Sequence, residues 1–469
     1  MLEIRHCCAC PRGDSLIQRN TVKIRQSPVI VLPDGAAQRS RDKVHQEKSD
    51  MMQDRVARSR RGLFRGVLTA TAGALSLLAL STGPSAADIS GGVVRIGVIN
   101  DQSGPLSDLA GLGSVVAARL AVEDFQKLAS LKVEILSADH QNKADIGTQI
   151  VRRWYEADGV DMVADVGNSA VALGIQSIAR QMNKIVVYSA VGTTEITGKQ
   201  CSPNGLAWLH DNYNLVAGSI RKLVGQGLKT WFFIAADYAF GRNMVAESER
   251  VLAEVGGKSV GTVFHPLGNA DYGSFLLQAQ SSGAKVVAFA NAGEQLVTAM
   301  KQWNEFGMGA GPQKAVAELM FLTDVHGMGM ETAKGLTTVT AWYWDLNDAT
   351  RAFAKRFFDA RGVMPTAPQA AVYSAVFHYL KAVAAIGSDD TARVLDRMRA
   401  TPVDDFFAPG ATLRADNKLV HDFYLVQVKE PTELEKPWAY YKVVETISAK
   451  DAYRPLSESD CPLVTAAGK

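Results

Sequence analysis

Histidine and cysteine are scarce in this chain, eight and five among 469 residues. The histidines are scattered, with no H-x-x-x-H or comparable spacing, which excludes the common zinc-ligand patterns. Cys7, Cys8 and Cys10 cluster near the start, but no second pair follows at ligand spacing, so no metal site is expected. Long apolar runs are missing too. The longest covers residues 66–80, about 15 residues, where a bilayer-spanning helix needs ~20. No acid/base pair or nucleophile–histidine pair stands out, so no catalytic residue, cofactor or metal is expected and the chain is not read as an enzyme.

What is present begins with a leader. Residues 1–54 carry many Arg and Lys without sustained hydrophobic periodicity, as in a disordered extension or an over-called start. Residues 55–87 read as a signal peptide: a basic RVARSRRGLFRG, the apolar stretch, then Ser85-Ala86-Ala87 before Asp88. Arg60-Arg61 also fits a twin-arginine signal, and Sec export remains the alternative. The leader holds 14 Lys+Arg and 7 Asp+Glu, which leaves 36 and 41 of the totals 50 and 48, a net −5 for the remainder. An acidic body gives no reason to expect nucleic acid. The expected location is the periplasm. There Cys201 and Cys461, the two cysteines left, are expected to pair.

From residue 93 the chain alternates strand and helix. The stretch GGVVRIGVINDQSGPLSDLAGLG sets the pattern: a β-branched strand, a polar loop containing Ser103, then a helix. Strands are expected at 132–138, 161–166 and 184–189, then at 230–235, 259–264, 285–291 and 319–322, with helices between. This βαβ alternation, twice over, predicts two doubly wound parallel sheets in an α/β fold. A strand at 335–341 precedes further helices at 347–360, 369–385 and 391–399, and strands at 405–407, 421–428 and 440–446 follow them. Several crossings without a flexible tether predict a hinge, near 209–211, 342–345 and 401–405. Trp342-Tyr343-Trp344 fits a hinge, a cleft wall or ordinary core.

Candidate site residues lie in the loops after strands, where open α/β sheets bind ligands. One lobe offers Ser103, Asn168, Ser169 and Ala170, and Ala190, Gly192 and Thr193. The other offers Tyr238, Phe240, Asn291, Glu294 and Asp324. Gly167-Asn168-Ser169 approaches the G-x-S-x-G elbow but lacks its second glycine; a serine at a helix start fits better. Gly111 and Gly113 with Asp139 lack the third glycine of a dinucleotide fingerprint. Hydroxyls on one lobe and aromatics with carboxyls on the other suit the clamping of a small carboxylate.

VVRIGVINDQSGPLSDLAG, GNSAVA, SAVGTTEIT, DYAFG, ANAGEQ and ESDCPLV resemble, in order and spacing, the type I solute-binding proteins of ABC importers, in particular the branched-chain amino-acid (Leu/Ile/Val-binding-like) group. The resemblance implies a clamshell of two Rossmann-like lobes joined by a three-strand hinge, with 88–208 and 345–402 in lobe 1 and 209–344 and 403–452 in lobe 2. The tail, 453–469, returns to lobe 1. It implies a monomer that delivers its ligand to membrane permease subunits, or a soluble periplasmic sensor of the same fold. Asn168, Ser169 and Ala170 would hold the ligand carboxylate, the loop after strand four would add a backbone carbonyl and a threonine at Ala190 and Gly192 or Thr193, and Tyr238 or Phe240 would lie on the far side. The ammonium-binding acid of the group would fall near Glu294. If the equivalent is Gln295, the ligand need not be an amino acid, and aromatic acids become candidates.

Overall fold

Strand β1 (Val94–Asn100) is buried at all but one position. It lies between β2 (Val133–Asp139) and β3 (Met162–Asp165), with β4 (Ile185–Tyr188) and β5 (Gly205–Ala207) completing a sheet of order β2-β1-β3-β4-β5. Every pairing is parallel. Helices cover this sheet and bury its central strands, so β4 reads as an unbroken apolar run and β3 as one up to its last residue, Asp165. The crossovers are α1 (Gly111–Gln126), α2 (Ala144–Glu156) and α3 (Ser169–Gln181). This computed structural model describes residues 88–467. The leader and Cys7, Cys8 and Cys10 lie outside the described residues.

The chain then builds a second parallel sheet. Helix α4 (Asn212–Gly225) opens on a capping box in which Asp211 accepts from the Asn214 N–H. β6 (Thr230–Ala236), β7 (Lys258–His265), β8 (Val286–Ala290) and β9 (Lys314–Ala317) follow in the order β7-β6-β8-β9. They alternate with α5 (Ala239–Glu254), α6 (Gly273–Ser281) and α7 (Glu294–Glu305). Two short helices, α8 (Leu322–Met328) and α9 (Met330–Ala333), precede β10 (Thr337–Thr340). The chain returns to the first sheet through α10 (Asp348–Arg361), α11 (Ala367–Ile386) and α12 (Thr391–Ala400), with α10 and α11 packed on α1. A small hairpin of β11 (Thr412–Leu413) and β12 (Leu419–Val420) leads to β13 (Phe423–Val428) and β14 (Tyr441–Ile447), which pair antiparallel with each other, β13 also with β10. No helix among the described residues is long and apolar enough to cross a membrane.

Both parallel sheets reverse strand order beside their first strand: β1 between β2 and β3, β6 between β7 and β8. Such reversals splay the following loops apart and leave a crevice at the carboxyl ends. The doubly wound α/β reading therefore holds, with two departures. Residues 319–322 are not a strand. β9 lies five residues earlier, and the apolar run Leu319-Met320-Phe321-Leu322 is buried in the wall and start of α8 without a ladder partner. Residues 405–407 also form no strand; Asp405 instead accepts from the Phe407 N–H at 2.8 Å, a side-chain turn that competes with extended pairing.

The expected pairing of Cys201 with Cys461 is present. It joins the segment between β4 and β5 to the end of the described chain.

Candidate functional site

The two sets of strand ends meet at a narrow cleft, partly open to solvent, whose enclosed volume is only about 20 Å³. The first sheet contributes Leu106, Leu109, Gly167, Ser169 and Ala190; the second contributes Tyr238, Phe240, Ala292, Leu319 and Phe321. A roomier, more open hollow of about 510 Å³ is lined by Lys314, Trp303 and Leu336 among others. It sits at the start of β9, the end of the sheet away from the crossover loops, where this architecture does not hold ligands.

Ser169 reaches the cleft through a strained turn. Asp165 and Val166 both have positive φ, 83° and 74°, followed by Gly167 at 62°. For a β-branched residue this is a costly conformation, on the order of 1–3 kcal/mol, that persists only where the surroundings enforce it. They do so here. The buried Asp165 carboxylate accepts from Asn100 Nδ2 at 2.6 Å and Ser189 Oγ at 2.7 Å, and the His140 ring bonds the Val166 carbonyl at 2.5 Å. Burial raises the Asp165 pKa against those hydrogen bonds.

Asn168 then caps α3: its Oδ1 accepts from the N–H groups of Ala170 at 2.9 Å and Val171 at 3.2 Å. Its Nδ2 donates to Asn142 Oδ1. Asn168 and Ala170 are thus engaged with each other, and neither lines the cleft. Ser169 Oγ accepts from the Thr193 N–H at 3.2 Å and donates to no acceptor among the described residues, which leaves its proton available to a ligand oxygen. The positive end of the α3 dipole adds to the attraction for an anion there.

Ala190 lines the cleft, while Gly192 and Thr193 support it from behind. Gly192 accepts from the Asn212 N–H at 2.6 Å. A Cβ at Gly192 would lie 2.3 Å from Asn212 Oδ1 and 2.6 Å from the Phe240 ring, so only glycine allows this approach between lobes. Gly293 is alike: its φ is +64°, and a Cβ there would stand 2.4 Å from the Pro105 carbonyl, across the cleft. On the far side Tyr238 and Phe240 lie with ring centres 5.8 Å apart. Burial pushes the Tyr238 phenol well up, so it is a neutral donor at physiological pH.

The remaining candidates are not brought to the cleft. Ser103 donates to Asp139 at 2.6 Å. Asn291 bonds the His265 ring at 3.1 Å. Glu294 is exposed, its N–H bonding Pro105 across the cleft at 3.1 Å. Gln295 is buried with both amide atoms unpartnered. Asp324 accepts from the Phe321 N–H at 2.8 Å, and burial pushes its carboxyl up to about 7. The cleft lining holds no Asp, Glu, Lys, Arg or His. Sequence reading missed Leu106, Leu109, Ala292, Leu319 and Phe321. Their signal was an apolar residue just beyond a turn or strand end, which looks the same as core. No cluster among the described residues could hold a metal ion.

A family model described as periplasmic binding protein matches residues 93–433, and the chain belongs to that family, in its type I branch. A solved periplasmic binding protein from Burkholderia mallei is 41% identical, over 80% of this chain and 99% of that one, with a TM-score of 0.78. A branched chain amino acid ABC transporter periplasmic ligand-binding protein from Burkholderia xenovorans LB400 is 40% identical, over 79% and 100%, with a TM-score of 0.71. A solute binding protein of an ABC transporter from R. palustris, solved with benzoate, shares the fold at 19% identity, over 76% and 97%, with a TM-score of 0.68. No curated protein matches the chain.

Proposed function

We propose that the protein is the periplasmic solute-binding component of an ABC importer, a monomer that closes on a small carboxylate and delivers it to the permease. The leader is removed near Ala87. The reading rests on one observation above the rest: a crevice between two sets of strand ends that offers a serine hydroxyl at a helix start, its oxygen held by the Thr193 N–H, on one wall and Tyr238, Phe240, Leu319 and Phe321 on the other. Capture of this kind needs no bond-making group, and the serine has no histidine beside it in the lining.

The same lining narrows the ligand. An amino acid brings an ammonium that costs several kcal/mol to desolvate without an acceptor. The cleft walls carry no carboxylate for it, and Glu294 faces solvent. A carboxylate with an apolar or aromatic body and no ammonium fits better. The xenovorans relative is named for branched-chain amino acids and the palustris protein was solved with benzoate, so both classes belong in the test. Mass spectrometry of ligand released from the purified protein, and calorimetry with benzoate and leucine, would decide. Binding of benzoate over leucine is expected. Preference for leucine would reject the ligand class and leave the importer role standing; release of a ligand without a carboxylate would reject both the class and the Ser169 site.

A further inference from the structure

Thr194 belongs to the first lobe, between β4 and β5; its carbonyl accepts from Thr197 within that lobe, but its N–H and hydroxyl turn to the second. Its N–H donates to Asn243 Oδ1 at 3.1 Å. Its hydroxyl accepts from Asn243 Nδ2 at 3.0 Å and donates to Glu247 Oε1 at 2.9 Å. Asn243 and Glu247 are four apart on α5 and so share one face of that helix. Thr194 and Glu247 are buried, and none of the three lines the cleft.

The chain's end completes the arrangement. Arg454 bonds the other Glu247 oxygen, Oε2, at 2.5 Å and lies over the Tyr213 ring, 5.3 Å from its centre. Glu247 therefore has one oxygen held by the tail and, at 3.4 Å, by Arg250 of its own helix, and the other presented to Thr194. The tail is also held to α4 by Asn214 Nδ2, which donates to the Ala452 carbonyl at 2.8 Å. Seven residues beyond Arg454, Cys461 bonds Cys201, on the segment that carries Thr194. The tail is thus tied to both lobes at the place where they meet.

We infer that Thr194, Asn243, Glu247 and Arg454 form a latch that holds the lobes closed and sets how slowly the cleft releases its ligand. Parting the lobes breaks all three Thr194 bonds at once, and one of them is to a carboxylate in a poorly hydrated place, the stronger kind. The latch is joined to the ligand wall through one peptide unit, because Thr193, next to Thr194, donates to Ser169. These are positioning residues, since none touches the cleft.

The test compares the mature protein with Thr194→Val, Asn243→Ala and Arg454→Met. Arg454→Met lies away from the cleft wall and guards against misfolding of the other two; melting and circular dichroism confirm the fold of each. Small-angle scattering without added ligand should give a larger radius of gyration for Thr194→Val and Asn243→Ala than for the parent, and a smaller increase for Arg454→Met. Stopped-flow dissociation of benzoate should be roughly tenfold faster in the first two with a nearly unchanged association rate, because the lost bonds form only on closure. A residue with a purely structural role would move the melting temperature and leave this split alone. Folded variants with parental radii and parental benzoate dissociation overturn the latch. If the parent itself fails to bind benzoate, the proposed ligand class is what fails, and the radii alone decide the latch.

Discussion

The Ser169 hydroxyl accepts a hydrogen bond from the Thr193 N–H at 3.2 Å, which fixes the oxygen and leaves its proton available for a ligand. One loop of the first lobe thus orients the group presented by another. Ser169→Ala removes that donor while the Asn168 cap keeps α3 in place. Affinity for benzoate should fall about ten- to hundredfold, the equivalent of roughly 1.5–3 kcal/mol for a bond to a charged group. Calorimetry measures the loss, and circular dichroism checks the fold. An unchanged affinity would place the carboxylate elsewhere.

Gly192→Ala should impair closure while leaving each lobe folded. The added methyl meets Asn212 and the Phe240 ring, all on the interlobe surface, so relief comes most easily from parting the lobes. Benzoate binding should weaken and the scattering radius should rise. If binding survives and only the melting temperature drops, the contact is ordinary packing.

Reduction of Cys201–Cys461 should destabilise the protein. The bond spans 260 residues, and the chain-entropy description gives on the order of 5 kcal/mol for such a loop, an upper figure for real proteins. Cys201→Ser and Cys461→Ser should each lower the melting point, and the double variant should match either single one. Thiol labelling of the denatured, unreduced mature protein should find no free thiol.

Acid should unfold the protein through buried imidazoles. Burial holds His210 down at about 4 and also lowers His140, His265, His378 and His421. Each is charged more readily in the unfolded chain, near pH 6.5, so the unfolded state binds the extra protons and stability falls with pH. The contribution is full above about pH 6.5 and is lost as pH falls through the folded value; for His210 it is about 3 kcal/mol. Urea titrations at pH 7 and pH 5 should differ accordingly, and His210→Phe should narrow the difference.

The opposite slope should come from Glu318. Its Oε1 accepts from Ser248 at 2.6 Å while its Oε2 has no partner, and burial pushes the carboxyl up to about 8. Here the folded state binds the extra proton, so the contribution is full below pH 4.5 and is lost as pH rises through 8. Glu318→Gln should keep the Ser248 bond and flatten the fall in stability between pH 6 and pH 9. A variant with the parental alkaline slope would show that Glu318 is not the group responsible.

The order of strands and helices was written in the sequence by itself. Parallel strands buried on both faces must be apolar throughout, and the helices that cover them must be apolar on one side, so both periods survive in a single chain. Ser169 was legible for a related reason: a hydroxyl between a strand end and a helix start has few other places to go. Pairing of Cys201 with Cys461 followed from composition, once the leader's cysteines were set aside.

Tertiary structure alone decided the cleft's chemistry. Leu319 and Phe321 form its wall, yet their run reads as a strand, because an apolar side chain facing a ligand and one facing a core have the same composition. Glu294 and Asp324 had the charge for a ligand partner, but one turned to solvent and the other to the Phe321 N–H. Thr194, Glu247 and Arg454 lie far apart in sequence, and no local pattern joins them. Only closure of two lobes and the return of the tail bring an arginine, a glutamate and a threonine within hydrogen-bonding distance, because side-chain contact depends on distance in space and leaves no period along the chain.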